Sequence, residues 1–313
     1  GTFGITSGGA ITDSGTLAIT GDATFTNTSG SNDAITLDDA GNAFAGTVTF
    51  ATDSGSAVTI VDTTALDLKA LSAVSLSVTA GGAVTDSGTL AITGVTTINS
   101  GSADLTLNEA SSTFGTLVLT GANVAVTENA ATDLGASTVS GTFGITSGGA
   151  ITDSGTLAIT GDATFTNTSG SNDAITLDDA SNAFAGTVTF ATDSGSAVTI
   201  VDTTALDLKA LSAASLSVTA GGAVTDSGTL AITGATTLNS GSADLTLDQS
   251  ASTFGTLAIT GANVAVTENA AMDLGASTIS GTASFNSTSN AITDSGTLAI
   301  TERTTPRRGS AQT

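Results

Sequence analysis

Residues 1–140 recur as residues 141–280 with only about a dozen differences, and a third copy opens at Gly281. A chain that repeats itself at a fixed period builds the same local unit again and again, so it folds as a row of modules or as one stacked column. The 140-residue period holds a shorter one. GGAITDSGTLAITG from Gly8 returns as GGAVTDSGTLAITG from Gly81, then from Gly148 and Gly221, and AITDSGTLAIT appears once more from Ala291. The serines of TDSG in this series lie 73, 67, 73 and 68 residues apart, so each unit reads as two diverged halves of about 70.

Below both periods runs a faster alternation. TLAIT at 16–20, TVTFAT at 47–52, SLSVTA at 75–80 and TLVLT at 116–120 place large apolar residues at every second position, with Thr, Ser, Ala or Val between them. Period two with β-branched residues is the mark of half-buried strands. Gly, Asn, Asp and Ser interrupt these segments every six to ten residues, as in TSGSND at 28–33 and DSGS at 53–56, and no helical period appears. Sandwich modules of about 70 residues would need long hairpins, an aromatic-rich core and linkers, yet the chain has no Trp, no Tyr and no linker. The expectation is therefore an all-β parallel β-helix (β-solenoid), right-handed because parallel crossovers are. With about 20 residues and about 4.8 Å per coil, 313 residues predict about 15 coils and a rod of about 75 Å. Its organisation reads as repeat 1 over 1–140, repeat 2 over 141–280, the start of repeat 3 over 281–301, and a tail at 302–313.

Differences between the copies follow the same logic. Ile98→Leu238, Leu119→Ile259, Val118→Ala258 and Val139→Ile279 keep strand positions apolar, whereas Asn108→Asp248, Glu109→Gln249 and Gly41→Ser181 keep turn positions polar or small. The 11 Phe, among them Phe25, Phe44, Phe50, Phe114 and their copies Phe165, Phe184, Phe190 and Phe254, are expected to stack inward as ladders.

Composition removes whole classes of function. Five Lys plus Arg stand against 28 Asp plus Glu, a formal charge of -23, and His and Cys are absent. Imidazole bases, thiol nucleophiles, disulfides and the usual zinc, haem and iron–sulfur ligands are excluded. So few cations cannot neutralise a phosphate backbone, which argues against nucleic acid and anionic membrane surfaces as partners. No apolar run approaches the roughly 20 residues of a membrane span.

The ends are read in the same terms. Gly1 is in phase with Gly141, so the chain starts in mid-pattern like a cut through a longer array, with no basic and apolar leader ahead of it. After Thr301 the template predicts Gly, but Glu302 follows, and the tail holds Arg303, Arg307, Arg308 and the only proline, Pro306. A disordered or foreign tail is expected there. No polar cap is evident, which favours end-to-end self-association or stacking on neighbouring repeats of a longer chain.

GGAITDSGTLAITGDATF, NDAITLDDAGNAFAGTVTF and ALDLKALSAVSLSVTAGGAVTDSG resemble the β-helical repeat regions of filamentous-haemagglutinin-like bacterial exoproteins and related large surface adhesins. The resemblance covers nearly everything up to Thr301. It implies a right-handed parallel β-helix, export to the bacterial cell surface, and a stalk or fibre role in adhesion or matrix formation. The family's N-terminal secretion module, an RGD tripeptide and a lectin-like domain are not seen, so the secretion route and any host or matrix ligand do not carry over.

Candidate sites are few. TDSG occurs seven times, from Thr12, Thr52, Thr85, Thr152, Thr192, Thr225 and Thr293. It reads as a turn in which Asp and Ser bond nearby amides and Gly takes positive φ. The sharper reading is calcium held by hard oxygens at coil corners, from Asp22, Asp33, Asp38, Asp39, Asp62 and Asp67 with copies Asp162, Asp173, Asp178, Asp179, Asp202 and Asp207. Asp38, Asp39, Asp178 and Asp179 are the foremost of these, although neither the calcium-binding β-roll nonapeptide nor an EF-hand spacing is present. Lys69 and Lys209, two residues from Asp67 and Asp207, suggest local ion pairs worth under about 1 kcal/mol. Paired carboxylates could serve a glycosidase, but they repeat with the unit while an active site is singular, and positioning cations are missing. A threonine-rich ice-binding face is the other alternative, set back by TxT pairs that do not recur at a constant spacing. The reading is a non-enzymatic structural stalk, filament shaft or adhesin spacer with no required cofactor.

Overall fold

The computed structural model describes residues 1–28, 30, 32–288 and 290–301, and all of its regular structure there is β-strand. The tail expected to be disordered, 302–313, lies outside the described residues. Fifteen parallel strands, from Phe3–Ser7 to Ala283–Ser287, hydrogen-bond one above another along the first face of a solenoid, one strand per coil. A 21-stranded sheet wraps the remaining sides, and two short pairs complete it, Ala18–Ile19 with Ala43–Phe44 and Leu211–Ala213 with Leu230–Ile232. The expected architecture and coil number therefore hold.

Alternation explains the core. In Thr47–Ala51, Val48 and Phe50 turn inward, and in Ala57–Asp62 the inward set is Val58, Ile60 and Asp62. Each inward side chain stacks on its counterpart one rung away, so the interior is a set of columns rather than a globular centre. Phe25 sits 5.6 Å from Phe3, 5.8 Å from Phe50 and 6.0 Å edge-on from Phe44, centroid to centroid, and Phe165 repeats this arrangement with Phe143, Phe190 and Phe184. The inward phenylalanine ladder is thus present. Glycines serve where coils touch. A Cβ on Gly46 would come within 2.4 Å of the Gly21 carbonyl carbon, and one on Gly21 within 2.5 Å of the Gly1 carbonyl oxygen.

One substitution pattern differs from expectation. Ile98, Leu119 and Val139 are buried, but Val118 and its copy Ala258 point outward, because they occupy the alternate phase of their strands. The Val118→Ala258 change is therefore a surface change.

The ladder and the sequence repeat are not commensurate. Rung offsets on the first face, starting from Phe3 opposite Ala23, are 20, 25, 20, 18, 21, 19 and 19 residues, 142 in all, against a sequence period of 140. After seven coils each copy lies two residues, about 6.6 Å, behind the column it started in. An even slip is the smallest that survives, since a one-residue slip would turn every core side chain to solvent. As with heptads on a 3.6-residue helix, the mismatch makes equivalent features wind slowly about the rod.

The half-repeat behaves differently again. Ile11–Thr12 of the first TDSG segment belongs to the 21-stranded sheet, whereas Val84–Asp86 of the second belongs to the 15-stranded one, and Ile151–Asp153 and Val224–Asp226 repeat that exchange. The 73-residue step spans about three and two-thirds of a coil of roughly 20 residues, so it lands one face further round. Only the 140-residue step returns a segment to its own face.

Candidate functional site

The half-repeat carries one polar corner, built four times. Asp13 of TDSG reaches across coils, its Oδ1 accepting from the Asp38 amide at 3.1 Å and its Oδ2 from Asn42 Nδ2 at 2.6 Å. Asp153 does the same for Asp178 and Asn182, and Asp86 and Asp226 accept from the amides of Asn108 and Asp248. These aspartates therefore cap the turn of a coil 22 to 25 residues later, where the sequence suggested local bonds within the TDSG turn. The next polar side chain satisfies a strand amide: Asn42 Oδ1 accepts from Leu17 and Ser112 Oγ from Leu90.

A buried acid closes each corner. Asp62 and Asp202 are each 1% exposed and accept from the amides of Phe44 and Phe184 at 3.3 Å. Glu128 and Glu268, 3% and 0% exposed, take the same role toward Phe114 and Phe254 at 3.0 and 2.9 Å. Thr64 adds two bonds to Asp62 Oδ1, and Thr132 Oγ1 donates to Glu128 Oε1 at 2.6 Å. In the second copy Met272 stands where Thr132 was, and Glu268 Oε1 is left without a partner. Burial pushes the Glu128 carboxyl up to about 7, opposed by the bonds from Thr132 and Phe114, and it also raises Asp86, Asp202, Asp226 and Glu268. Sequence reading missed Glu128 and Glu268. Their signal was a charged residue at an inward position of the alternating strand VAVTE.

The candidate calcium ligands do not converge. Asp38 lends its amide to Asp13, Asp39 Oδ1 accepts from the Gly41 amide and Thr16 Oγ1, and Asp178 and Asp179 repeat this. The Asp33 carbonyl accepts from Asn27, and the Asp173 carbonyl from Asn167. Asp62 and Asp202 are buried, while Asp67 and Asp207 face outward on the first sheet. Among the described residues no three carboxylates gather as a metal-holding group. Asp22 and Asp67 line an open groove of about 320 Å³ with Gly46, Thr47 and Thr85, copied at Asp162 and Asp207. There the Asp22 carboxyl lies below its usual range, chiefly through the Thr47 amide and hydroxyl, with a smaller contribution from Lys69. Among the described residues Lys69 forms no closed pair with Asp67, in contrast to the sequence expectation.

Outward hydroxyls form two kinds of column. On the first face the column Thr47, Asp67, Thr85, Thr106, Ala125, Gly144 and Thr164 is broken by an acid and by residues without a hydroxyl. On the wrapped sheet Thr12, Thr36, Thr59, Ser77 and Thr97 follow on successive rungs before Val118.

A family model described as repeats of unknown function (DUF5649) matches residues 1–51, 55–120, 121–191, 195–260 and 261–312. No curated protein matches the chain, and no solved structure does.

Proposed function

The chain belongs to the DUF5649 family of repeats, and on that footing we propose that this β-solenoid serves as a rigid shaft or spacer of a bacterial surface or matrix protein, outside the cell. One observation carries the reading. The core crosses the repeat boundary without a break: Val124–Glu128 pairs with Phe143–Ser147 through five registered residues, just as strands pair within a repeat, with no linker between. Stability then accumulates coil by coil from neighbouring interfaces, which suits a part that must resist bending. Its work is mechanical and non-enzymatic, no cofactor is called upon, and further coils of the same kind are the natural partners of its ends, where Ile5, Ile292, Leu298 and Ile300 stand exposed.

Small-angle scattering checks the shaft. The expected particle is a straight rod of about 70 Å, lengthening by about 34 Å when one more 140-residue repeat is inserted. A hinged particle, or one whose length ignores the insertion, overturns the reading, and collapse on adding a chelator would reassign the acidic corners to calcium. Location is checked by protease shaving of intact cells, which removes a surface-exposed chain and spares an internal one.

A further inference from the structure

The outward side of four long strands in each repeat carries no charge. These are Ala57–Asp62, Ser75–Ala80, Leu90–Asn99 and Thr113–Gly121, which stack directly on one another, with copies in the second repeat. None of residues 70–85, 87–103 or 110–127 is charged, in a chain with 28 acidic residues. The one acid in the four strands, Asp62, points inward. The outward positions hold Thr, Ser, Ala, Val and Asn in three parallel columns, a flat plot about 16 Å by 19 Å at strand spacings.

The same plot holds the exposed apolar side chains. Six large ones are exposed among the described residues: Ile5, Ile292, Leu298 and Ile300 lie in the first and last coils, and the other two are Val95 at 47% and Val74 at 40%. Val95 is on this face, where Val118 also points outward opposite Thr97, and Val74 stands at its rim, just ahead of Ser75–Ala80. In the second copy all three are alanine, at 214, 235 and 258.

We propose that this face is a lateral interface for a second copy of the same chain, so that shafts associate side by side. The proposal rests on the shaft reading above. Two chains of net charge -23 repel wherever their acidic sides meet, and inside this plot they meet no carboxylate, Asp133 standing at its edge with the Thr116 hydroxyl donating to it. Flat sheet faces pack at about 10 Å through small and β-branched side chains of this kind. One plot covers about 300 Å², too little for a stable pair, while two plots per chain bring the total near 1,200 Å², within the range of specific interfaces. The two plots therefore act together, the second docking at a high effective concentration once the first is seated. The two-residue slip sets them about 6.6 Å apart around the rod, so paired shafts must wind about each other to engage both.

Sedimentation of the intact chain over a range of concentrations, combined with the cross-sectional radius from scattering, tests this. The expected result is a dimer of unchanged length and larger cross-section that tightens as salt screens the carboxylates. Thr97→Glu, at the centre of the first plot, should weaken it by about tenfold or more with an unaltered circular dichroism spectrum. Thr237→Glu, in the plot where these three valines are alanine, should weaken it less, and Ser77→Glu provides a second variant if Thr97→Glu misfolds. A monomer at every concentration, a dimer indifferent to these changes, growth in length at constant cross-section, or a monomer that instead shapes ice crystals would each overturn the proposal. None of these outcomes bears on whether a single rod is straight and of the expected length, which is what decides the shaft reading.

Discussion

The corner around Glu128 and the corner around Glu268 share the bond from a phenylalanine amide and differ at the residue that can serve the second carboxyl oxygen. Both glutamates are buried and both accept from a phenylalanine amide, but Thr132 offers a hydroxyl to the first where Met272 offers none to the second. Such a corner tolerates the loss because a carboxylate can answer it by holding a proton, whereas a backbone amide has no alternative. The essential bond in each corner is therefore the one to the Phe amide, and the second oxygen is where the copies are free to drift.

The largest effect expected from this comparison is on pH dependence. The Glu128 carboxyl holds its proton more tightly folded, at about 7, than unfolded, near 4.5. Its stabilisation is thus fully present below about 4.5, is lost as pH rises, and is gone above about 7, an amount of about 3 kcal/mol. Asp86, Asp202, Asp226 and Glu268 are raised too and act in the same sense, while the lowered Asp22 and Asp162 contribute above the usual carboxylate range and lose this only below it. Denaturation followed by circular dichroism should show greatest stability near about pH 4–5. Glu128→Gln, which mimics the protonated acid, should leave that stability unchanged at pH 4.5 and raise it at pH 8. An equal loss at both values would show that the carboxyl works ionised.

A smaller effect is expected from exchanging the one side chain that differs. Met272→Thr supplies a donor to Glu268, and Thr132→Met removes one from Glu128. A hydrogen bond to a charged group is worth about 1.5–3 kcal/mol, so the glutamate midpoints, read from side-chain carboxyl carbon shifts, should move down and up respectively by about one to two pH units. Midpoints that stay in place would mean that water, and not the threonine, serves the second oxygen. The smallest effect belongs to the caps. Asp248 raises Asp226 through its charge, while in the first copy Asn108 is neutral and Glu109 carries the charge beside Asp86. Asp248→Asn should lower the Asp226 midpoint by a few tenths of a unit, the scale of an exposed charge pair, and a shift in the opposite direction would contradict the assignment.

Much of this was legible beforehand, for reasons particular residues make plain. Strict alternation in SLSVTA or TVTFAT fixes which side chains face in, because a strand has only two sides. The cap formed by Asp13 was not legible, since its partners Asp38 and Asn42 are neighbours only after a coil has closed. Nor was the outward position of Val118, because an apolar residue in a strand does not declare its phase until the register is set.

Sequence alone determined the architecture here. A 140-residue period, a two-residue alternation and the absence of Trp, Tyr and linkers leave a stacked β column as the economical solution. Tertiary structure alone decided where each repeated motif sits. A coil has three sides and about 20 residues, so a 73-residue step carries identical words to different faces, and a ladder of 142 residues turns the copies about the rod. Neither the length of each coil nor the 142-residue ladder is written in the local sequence, because both arise from how many residues each corner spends before the next strand begins.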